Sequence, residues 1–523
     1  MRSWPLRPTP TQCRDIGTRF FTGVRVYNAV LGEFITRGRA VKADPDWEAA
    51  RDLPHRNTAE RQVRRAAFRA VEAAHGFTAD AAQSFASSLR KSWVRDHLPA
   101  QETQNLGARA FDAVRQWHVG CKGKPRFKST KRGLHSLTAK DSYGALRPKT
   151  DAAGRLVGLQ WGAGFLIPIA LPAHSGRRSK EQQAELDEIE ALIAAGKVRS
   201  TRIVRTAIDG RDTYRMQLVC DGRPTQRHPV GNGRVSFDLG PSRIAVAVVR
   251  ADGSWAGWVE PLADSIRLDT IRLRRAQRHL DRQHRAGSPA CFDRDGVHTT
   301  GRCVWHRSLA AQRTVIRVGE LHRRLAEHRK TLHGTLANRL LGHGPDIGCE
   351  HLDYGSWQKN FPRSVRDRAP GLLVEILRRK AESAGSQLYE YNPRTTALSQ
   401  TCLCGQKKKK PLSQRTHHCQ CGTTDDRDLF SAYLGLHVHL AADGVDRLDL
   451  PTARQGWGRR QDIDESPKSS RRSASARKRR GRRHPPARRS VARINARRKA
   501  KTMMRQSRSA QTSTTDQPTA IAA

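Results

Sequence analysis

The stretch Gly233-Arg-Val-Ser-Phe-Asp-Leu-Gly-Pro-Ser-Arg-Ile-Ala-Val-Ala-Val-Val-Arg-Ala-Asp-Gly-Ser-Trp-Ala-Gly-Trp-Val-Glu260 decides the fold class. Residues 234–239 read as one strand, 244–249 as a second and 254–260 as a third, with Asp252-Gly253 as the turn signal between the last two. In the first strand Val235 and Phe237 point to one face, so Asp238 projects with Ser236 to the other. Beyond it, two long Arg-rich helical stretches, near 265–285 and 306–341, lead to a strand over 346–352. A helix over 370–384, a strand over 387–391 and a helix over 427–440 follow. Three hairpin strands and then alternating helices and strands predict an α/β fold, a mixed sheet flanked by helices.

The N-terminal half reads differently. Val24, Val26 and Val30 fall on one face at strand spacing, with Asn28 interrupting it, although 27–31 could equally open a helix. From 57 to 120 the signals are helical. Asn57 with Glu60 forms a capping box, and Val63, Ala67, Ala70 and Ala74 make an apolar stripe. Gly76 stops that helix and Thr78 caps the next; a third carries Leu106, Ala110, Val114 and Trp117. Residues 121–230 turn to strands, with Asp209-Gly210 as a hairpin signal and a charged helix near 180–195. No tandem repeat is present in the sequence.

Composition narrows the function. The chain has 523 residues and a formal net charge of +47, and its hydrophobic share is 37%. That share is below the usual figure of about 45–50%, so a disordered part is expected. Residues 468–508 hold eighteen Lys and Arg and no Asp or Glu, which reads as a disordered basic tail. About +29 remains on the rest. Such an excess points to a polyanionic partner, nucleic acid above all. The longest uncharged apolar stretch, 161–173, is broken by Pro168 and Pro172 and is shorter than the roughly 18 residues a membrane span needs. No apolar leader opens the sequence, so a cytoplasmic, nucleoid-associated bacterial protein with no membrane partner is expected. No His-Glu-x-x-His helix and no Walker phosphate loop is present, which argues against a metalloprotease and an ATPase.

Six cysteines are scattered (Cys13, Cys121, Cys220, Cys291, Cys303, Cys349) and read as reduced thiols. The other four form two matching units, Cys402-Leu-Cys404-Gly405 and Cys419-Gln-Cys421-Gly422. Thiolates on two tight turns suit a tetrahedral Zn²⁺, and each Gly lets its turn close. His418 is a substitute ligand to weigh, and two disulfides are the alternative. The lysines at 407–410 read as a solvated loop or as a phosphate contact near a bound strand.

Three carboxylates stand where phosphodiester chemistry would want them: Asp238 on the first strand, Glu350 near the end of a later one, and Asp428 in the first turn of the last helix. On that helix Leu429, Tyr433, Leu436 and Leu440 form the packing face, which puts Asp428 at its edge, facing the sheet without being buried. Carboxylates that converge repel one another, so a triad is most intelligible as a site for Mg²⁺ or Mn²⁺. Two such ions can activate a water and stabilise a leaving oxygen. Taken singly, each reads equally well as a surface acid or a cap.

In order, Asp238, Glu350, the cysteine pairs and Asp426-Arg-Asp428 resemble the RuvC-like nuclease domain of the TnpB family. These are transposon-encoded RNA-guided nucleases, kin to type V CRISPR effectors. Lys122-Gly-Lys-Pro-Arg-Phe-Lys-Ser129 is similar to the family's Lys-Gly-x-Pro-Arg-Phe-Lys signature. Leu321-His-Arg-Arg-Leu-Ala-Glu-His-Arg-Lys330 is similar to its helix before the catalytic glutamate, and Asn392-Pro-Arg-Thr-Thr396 with Ser399-Gln-Thr-Cys402 to its lead into the zinc ribbon. The family usually has Asn two residues after the last Asp, and here that position is Phe430. The resemblance covers roughly residues 120–440.

The resemblance implies an RNase H-like (RuvC) nuclease domain with an inserted zinc ribbon, and an N-terminal wedge-like β-barrel carrying a helical bundle. Residues 1–45 and 121–230 would form the barrel, 46–120 the recognition bundle, 231–398 the nuclease core, 399–424 the ribbon, 425–445 its last helix and 446–523 the tail. Asp238, Glu350 and Asp428 would be catalytic and hold magnesium, and Cys402, Cys404, Cys419 and Cys421 would hold zinc. Lys122, Lys124, Arg126, Lys128, Arg323, Arg324 and Trp357 would touch nucleic acid. Trp255 and Trp258 read as core. The partners would be a guide RNA and target DNA, pairing reading the sequence while the protein reads backbone and a short adjacent motif. The function implied is a DNA endonuclease linked to transposition and DNA recombination. Three alternatives stand beside it: a type V CRISPR effector, a guided repressor that no longer cuts, and a basic zinc-ribbon RNA-binding protein.

Overall fold

Thr9 and Pro10 start the first long element. The Thr9 side chain accepts from the Gln12 N–H, the Gln12 side chain accepts from the Thr9 N–H, and Pro10 takes the first helical position. The helix that follows, α1 (Pro10–Ala43), is 34 residues long. Of the two readings open for residues 24–31, strand or helix, the helix is the one formed. Ile16, Phe20, Val24, Tyr27, Leu31, Phe34, Gly38 and Val41 recur at steps of four or three residues and are all buried. Val26 and Val30 are buried too, so the apparent strand spacing comes from a helix covered over a wide arc. Only β1 (Arg2–Pro5) is extended in that stretch.

The computed structural model describes residues 1–461 except 131–132, 142–143, 171–179, 223–227, 300–302 and 412, so the basic tail lies outside the described residues. After α1 come α2 (Pro45–Asp52), α3 (Thr58–Ala74), α4 (Ala79–Ser88) and α5 (Ala100–His118). Asn57 and Glu60 cap α3 reciprocally, and Thr78 caps α4. The stripe expected on α3 is corrected: Val63 is 61% exposed, while Val71 is buried and Phe68 meets Trp47 at 4.5 Å. The helix turns toward α2, so its buried line passes through Phe68 and Val71 instead. Gly107 lets α5 close on α4, where a Cβ would come within 2.8 Å of the Ala82 carbonyl.

Strands β2 (Ser136–Thr138), β3 (Leu146–Thr150), β4 (Leu156–Trp161) and β5 (Leu166–Pro168) precede α6 (Lys180–Ala194) and the long hairpin β6 (Val198–Ile208) and β7 (Arg211–Cys220). Asp209 and Gly210 both take positive φ, 48° and 78°, as a two-residue hairpin requires. The strands form two sheets, β1-β7-β6-β2 and β3-β4-β5. Their buried residues, Trp161, Ile203 and Met216 among them, join one core with Phe34, Phe77 and Phe111 of the bundle.

The second half is built on a five-stranded sheet in the order β10-β9-β8-β11-β12. Its strands are β8 (Arg234–Leu239), β9 (Arg243–Val249), β10 (Trp255–Pro261), β11 (Asp346–Glu350) and β12 (Gln387–Tyr391). The β8–β11 and β11–β12 pairs are parallel and the others antiparallel. Helices α7 (Arg267–Gly287) and α8 (Leu309–His343) connect β10 to β11, and α9 (Tyr354–Asn360), α10 (Pro362–Arg368) and α11 (Pro370–Ala384) connect β11 to β12. Val235, Phe237, Val246 and Val248 pack on one face against Leu340 of α8 and Leu373 of α11.

A short α12 (Pro393–Thr396) leads to the ribbon strands β13 (Thr416–His418) and β14 (Thr424–Asp426), and β14 runs into α13 (Arg427–Gly435). This helix covers the other sheet face and is buried at all nine positions. The sheet beneath it is lined by Ala245 and Ala247, and at Gly257 a Cβ would come within 2.6 Å of Leu429 Cδ1. Small residues thus let a large helix lie close. The helix ends at Gly435 and not at 440. Val438–Leu440 is a strand, β15, paired with β16 (Asp446–Leu448), and Leu440 is 58% exposed.

Two further expectations are corrected. Residues 446–461, read as the start of the tail, are folded: they include β16 and α14 (Leu450–Trp457). The Trp457 ring stacks on Trp255 at 5.1 Å, and the Gln461 N–H donates to the Trp255 carbonyl at 2.8 Å. Trp255, 1% exposed, is core, and Trp258 packs partly buried against the other face. Cys291 and Cys303, read as thiols, form a disulfide across the α7–α8 connection, whose turns bring their Cα atoms to 5.6 Å. No helix among the described residues is long and apolar enough to cross a membrane.

Candidate active site and metal centre

The parallel pairing of β8 with β11 sets Gly348 beside Ser236 and Cys349 beside Phe237. One step further, Asp238 and Glu350 reach the ends of neighbouring strands. Ser236 and Asp238 share the face beneath α13, where Gly435 gives room: a Cβ there would come within 2.2 Å of Ser236 Oγ and 2.4 Å of the Tyr391 hydroxyl. Asp426 caps α13 by accepting the N–H groups of Asp428 (2.9 Å) and Leu429 (3.1 Å), which puts Asp428 in the first turn. Ser431, one turn on, faces Asp238 and offsets part of the rise in its carboxyl.

Asp428 is buried, 7% exposed, where the sequence placed it at an open edge. The cause is the close approach of the whole helix, and guanidinium groups meet the charge. Arg243 donates to Asp428 Oδ2 through Nε (2.8 Å) and Nη2 (2.5 Å), and Arg415 Nη1 lies 3.4 Å from the same oxygen. Arg427 donates to Oδ1 through Nε and Nη2, both at 3.1 Å. A buried carboxylate needs such partners to stay ionised.

The two strand carboxylates are less well served. Burial pushes the Asp238 carboxyl well above the usual range, and the charges of Glu350 and then Asp428 push it further. Burial raises Glu350 to about 6. Oxygen donors that repel one another in this way suit a hard divalent cation. Among the described residues, however, these acids do not form a tight cage. The only group of three or more His, Cys, Asp or Glu with ligand atoms all within 4.8 Å of one another is Cys402, Cys404, Cys419 and Cys421.

The cysteines come from two alike turns. Gly405 and Gly422 hold φ of 91° and 89°, and their N–H groups donate to the carbonyls of Cys402 and Cys419. Sγ atoms stand 3.5 Å apart for Cys402 and Cys421 and 3.6 Å for Cys404 and Cys419. Four Zn–S bonds of about 2.3 Å imply tetrahedral edges near 3.8 Å, whereas a disulfide would need about 2.05 Å. The four thiols therefore fit zinc and not two disulfides. Cys421 is pulled down to about 6, chiefly by the Thr423 hydroxyl and N–H, which favours its thiolate. His418 stands outside the set and bonds Thr424 Oγ1 through Nδ1 at 2.9 Å.

The ribbon is locked to the carboxylate helix. Phe430, at the position where the resemblance leads one to expect Asn, is 1% exposed. It stacks on His417 at 4.1 Å and meets Trp457 edge-on at 5.2 Å. His417 Nδ1 in turn lies 2.6 Å from Lys410 Nζ, which also donates to the Ser399 carbonyl. Lys410 thus serves the ribbon's own structure.

Lys122, Lys124, Arg126 and Lys128 are exposed on a strap against α1, held by paired bonds of 2.8 Å between Asn28 and the Lys128 backbone. Arg323 and Arg324 both donate to Glu320, whose carboxyl they hold down at about 2. Trp357 is half-buried and meets Tyr354 edge-on at 5.7 Å. Sequence reasoning missed Arg243, Arg415, Asp426 and Ser431. A signal existed for Arg243: it opens an otherwise apolar strand with the parity of Ala245 and Ala247, the face that α13 covers.

Residues 371–434 match the family model of the Cas12f1-like TNB domain. No curated protein sequence matches the chain. Among solved structures, it is similar to a chain in the cryo-EM structure of the Cas12f1-sgRNA-target DNA complex. That likeness has a TM-score of 0.46 and 13% identity, covering 80% of this chain and 81% of the other. The stretch that is similar to the Cas12f1-like TNB domain runs from α11 through the cysteine turns into α13, and so carries the four cysteines and Asp428.

Proposed function

We propose that the protein is an RNA-guided, divalent-metal-dependent DNA endonuclease of the TnpB kind. One observation carries the reading: Asp238, Glu350 and Asp428 lie toward one sheet face near enough for the charges of the other two to raise Asp238, and the helix bearing Asp428 continues a four-cysteine ribbon similar to the Cas12f1-like TNB domain. Asp238 and Glu350 offer oxygens from adjacent strand ends, and Asp428 adds a third from the first turn of α13. When bound there, Mg²⁺ or Mn²⁺ supplies an activated water and stabilises the leaving oxygen. Ser431 orients Asp238, and Asp426 fixes the turn that presents Asp428. Zinc in the cysteine turns holds the ribbon, and through His417 and Phe430 the ribbon holds α13. The exposed Lys122, Lys124, Arg126 and Lys128, and the Arg-bearing α8, supply charge for the backbones of guide RNA and target DNA.

A second reading, a guided binder that no longer cuts, is favoured by the arginines already on both oxygens of Asp428. One experiment separates the readings. The protein is purified with its co-bound RNA, that RNA is sequenced, and matching DNA is supplied with Mg²⁺. Cleavage that is lost in Asp428→Ala while binding persists selects the nuclease. Binding without cleavage in the wild type selects the silent binder, and the absence of co-purifying RNA sinks both.

A further inference from the structure

Arg243 has no part in the chemistry derived so far, yet it makes the shortest cation contacts to Asp428. It stands at the start of β9, just after the turn from β8, and that turn is fixed from α10 by the Ser364 hydroxyl, which donates to the Pro241 carbonyl at 2.6 Å. Its Nε and Nη2 both point at Asp428 Oδ2, while Nη1 reaches Asp426 Oδ2 at 3.5 Å. One guanidinium thus spans the cap of α13 and the acid in its first turn. Arg427, on the other oxygen, is 10% exposed and also donates to the Pro411 carbonyl, which fixes it. Arg415 is 55% exposed and makes a single longer contact. Arg243, 28% exposed, lies between these extremes, close enough to hold and open enough to move.

A carboxylate oxygen has about two lone-pair directions. Those of Asp428 Oδ2 already receive two N–H groups of Arg243. A divalent ion that takes this oxygen must displace the guanidinium or share with it, and it meets a like charge in either case.

We propose that Arg243 is a positioning and charge-balancing residue that sets the divalent-metal concentration at which the Asp238–Glu350–Asp428 site fills. The inference rests on the reading of these acids as a metal site. It is made of this chain's own residues: Arg243 holds Asp428 ready but weakens its grip on a cation. A single positive charge at close range opposes a divalent ion by about tenfold in affinity even under water's screening, and by more where water is thinned.

The test is Mn²⁺ titration of the full, zinc-containing chain, with free ion read by electron paramagnetic resonance. Arg243→Gln and Arg243→Met both remove the charge, and zinc content with the thermal midpoint qualifies whichever is folded. Binding at least about tenfold tighter than wild type is expected in the neutral variants. Arg243→Lys is expected to stay within about threefold of wild type, and Arg415→Gln to shift less than Arg243→Gln because its contact is longer and more exposed. Unchanged or weaker Mn²⁺ binding in a folded neutral variant overturns the role of Arg243 alone. Failure of the wild type to bind Mn²⁺ at all, with no difference from Asp238→Asn, overturns the metal-site reading and this inference with it.

Discussion

Replacing Glu350 by Gln should make the protein more stable at neutral pH in the absence of added divalent metal, and the gain should vanish in acid. Burial raises the Glu350 carboxyl from 4.5 to about 6. The folded chain therefore keeps this proton to higher pH than the unfolded chain does. As pH rises from about 4.5 to about 6, the unfolded form has released it and the folded form has not, so stability falls through that window and stays lower above it. A shift of about 1.5 pH units corresponds to roughly 2 kcal/mol, and partial exposure of the side chain brings the expectation to about 1–2 kcal/mol. Gln carries no charge, so the loss is absent in the variant. The variant also removes the Glu350 charge that helps to raise Asp238, which acts in the same direction. The assay is urea unfolding of wild type and Glu350→Gln at several pH values between about 4 and 8, in buffer passed over chelating resin so that bound zinc is retained. The midpoints should coincide near pH 4 and separate by pH 7, the variant being the more stable. Added Mg²⁺ should then raise the wild type more than the variant. Parallel pH profiles, or a variant less stable at pH 7, would refute the reasoning that burial holds this acid against its own charge.

Phe430→Asn should cost about 3–4 kcal/mol, because it removes a buried ring from between His417 and Trp457 and leaves an amide in its place; a loss under about 1 kcal/mol in chemical denaturation would show that the ribbon does not depend on this contact. Cys421→Ser should abolish stoichiometric zinc in metal analysis of the purified protein, and full zinc retention would exclude Cys421 from the ligand set. A chain ending at Gln461 should unfold at the wild-type temperature, since the Trp255–Trp457 stack is kept. It should bind nucleic acid less tightly and with a shallower dependence of log affinity on log salt, because eighteen Lys and Arg are gone; an unchanged salt slope would show that the tail does not touch phosphate.

What could be read from the sequence was local. Asn57 with Glu60, Thr78, Asp209-Gly210 and the helix Pro370–Ala384 each rest on a few neighbouring residues whose hydrogen bonds or φ preferences act at short range. The α/β class followed from alternation in β8 to β10, where one face is apolar because α8 and α11 cover it. What could not be read depends on distant contacts. Strand and helix could not be told apart at Val24, Val26 and Val30 because α1 is buried on so wide an arc that several of its spacings resemble alternation. The fold of residues 446–461 was hidden because its reason is Trp255, some two hundred residues earlier. Asp428 was placed at an open edge because a helical wheel shows its own apolar face and not the second surface that closes over the other side. Phe430 registered only as a departure from a family pattern, although its size is what joins the ribbon to α13.

The three acids are compensated unevenly, and this follows from where each stands. Asp428 belongs to a helix buried on all sides, so its charge survives only with guanidinium partners, and it has three. Asp238 and Glu350 stand at strand ends, and there Ser431 and the more distant Arg427 are what offset Asp238. A protein with a net charge of +47 thus leaves a demand for positive charge only partly met between two carboxylates on neighbouring strands. The surrounding arginines direct their hydrogen bonds to Asp428 and act on Asp238 only through their charge at a distance. A small hard cation can meet that demand without a side chain of its own, and a phosphate diester cannot approach until it does, because like charges would face each other. On the proposed reading of these acids as a metal site, the same arrangement that raises two carboxyls would make the site depend on a divalent ion before any polyanion can occupy it.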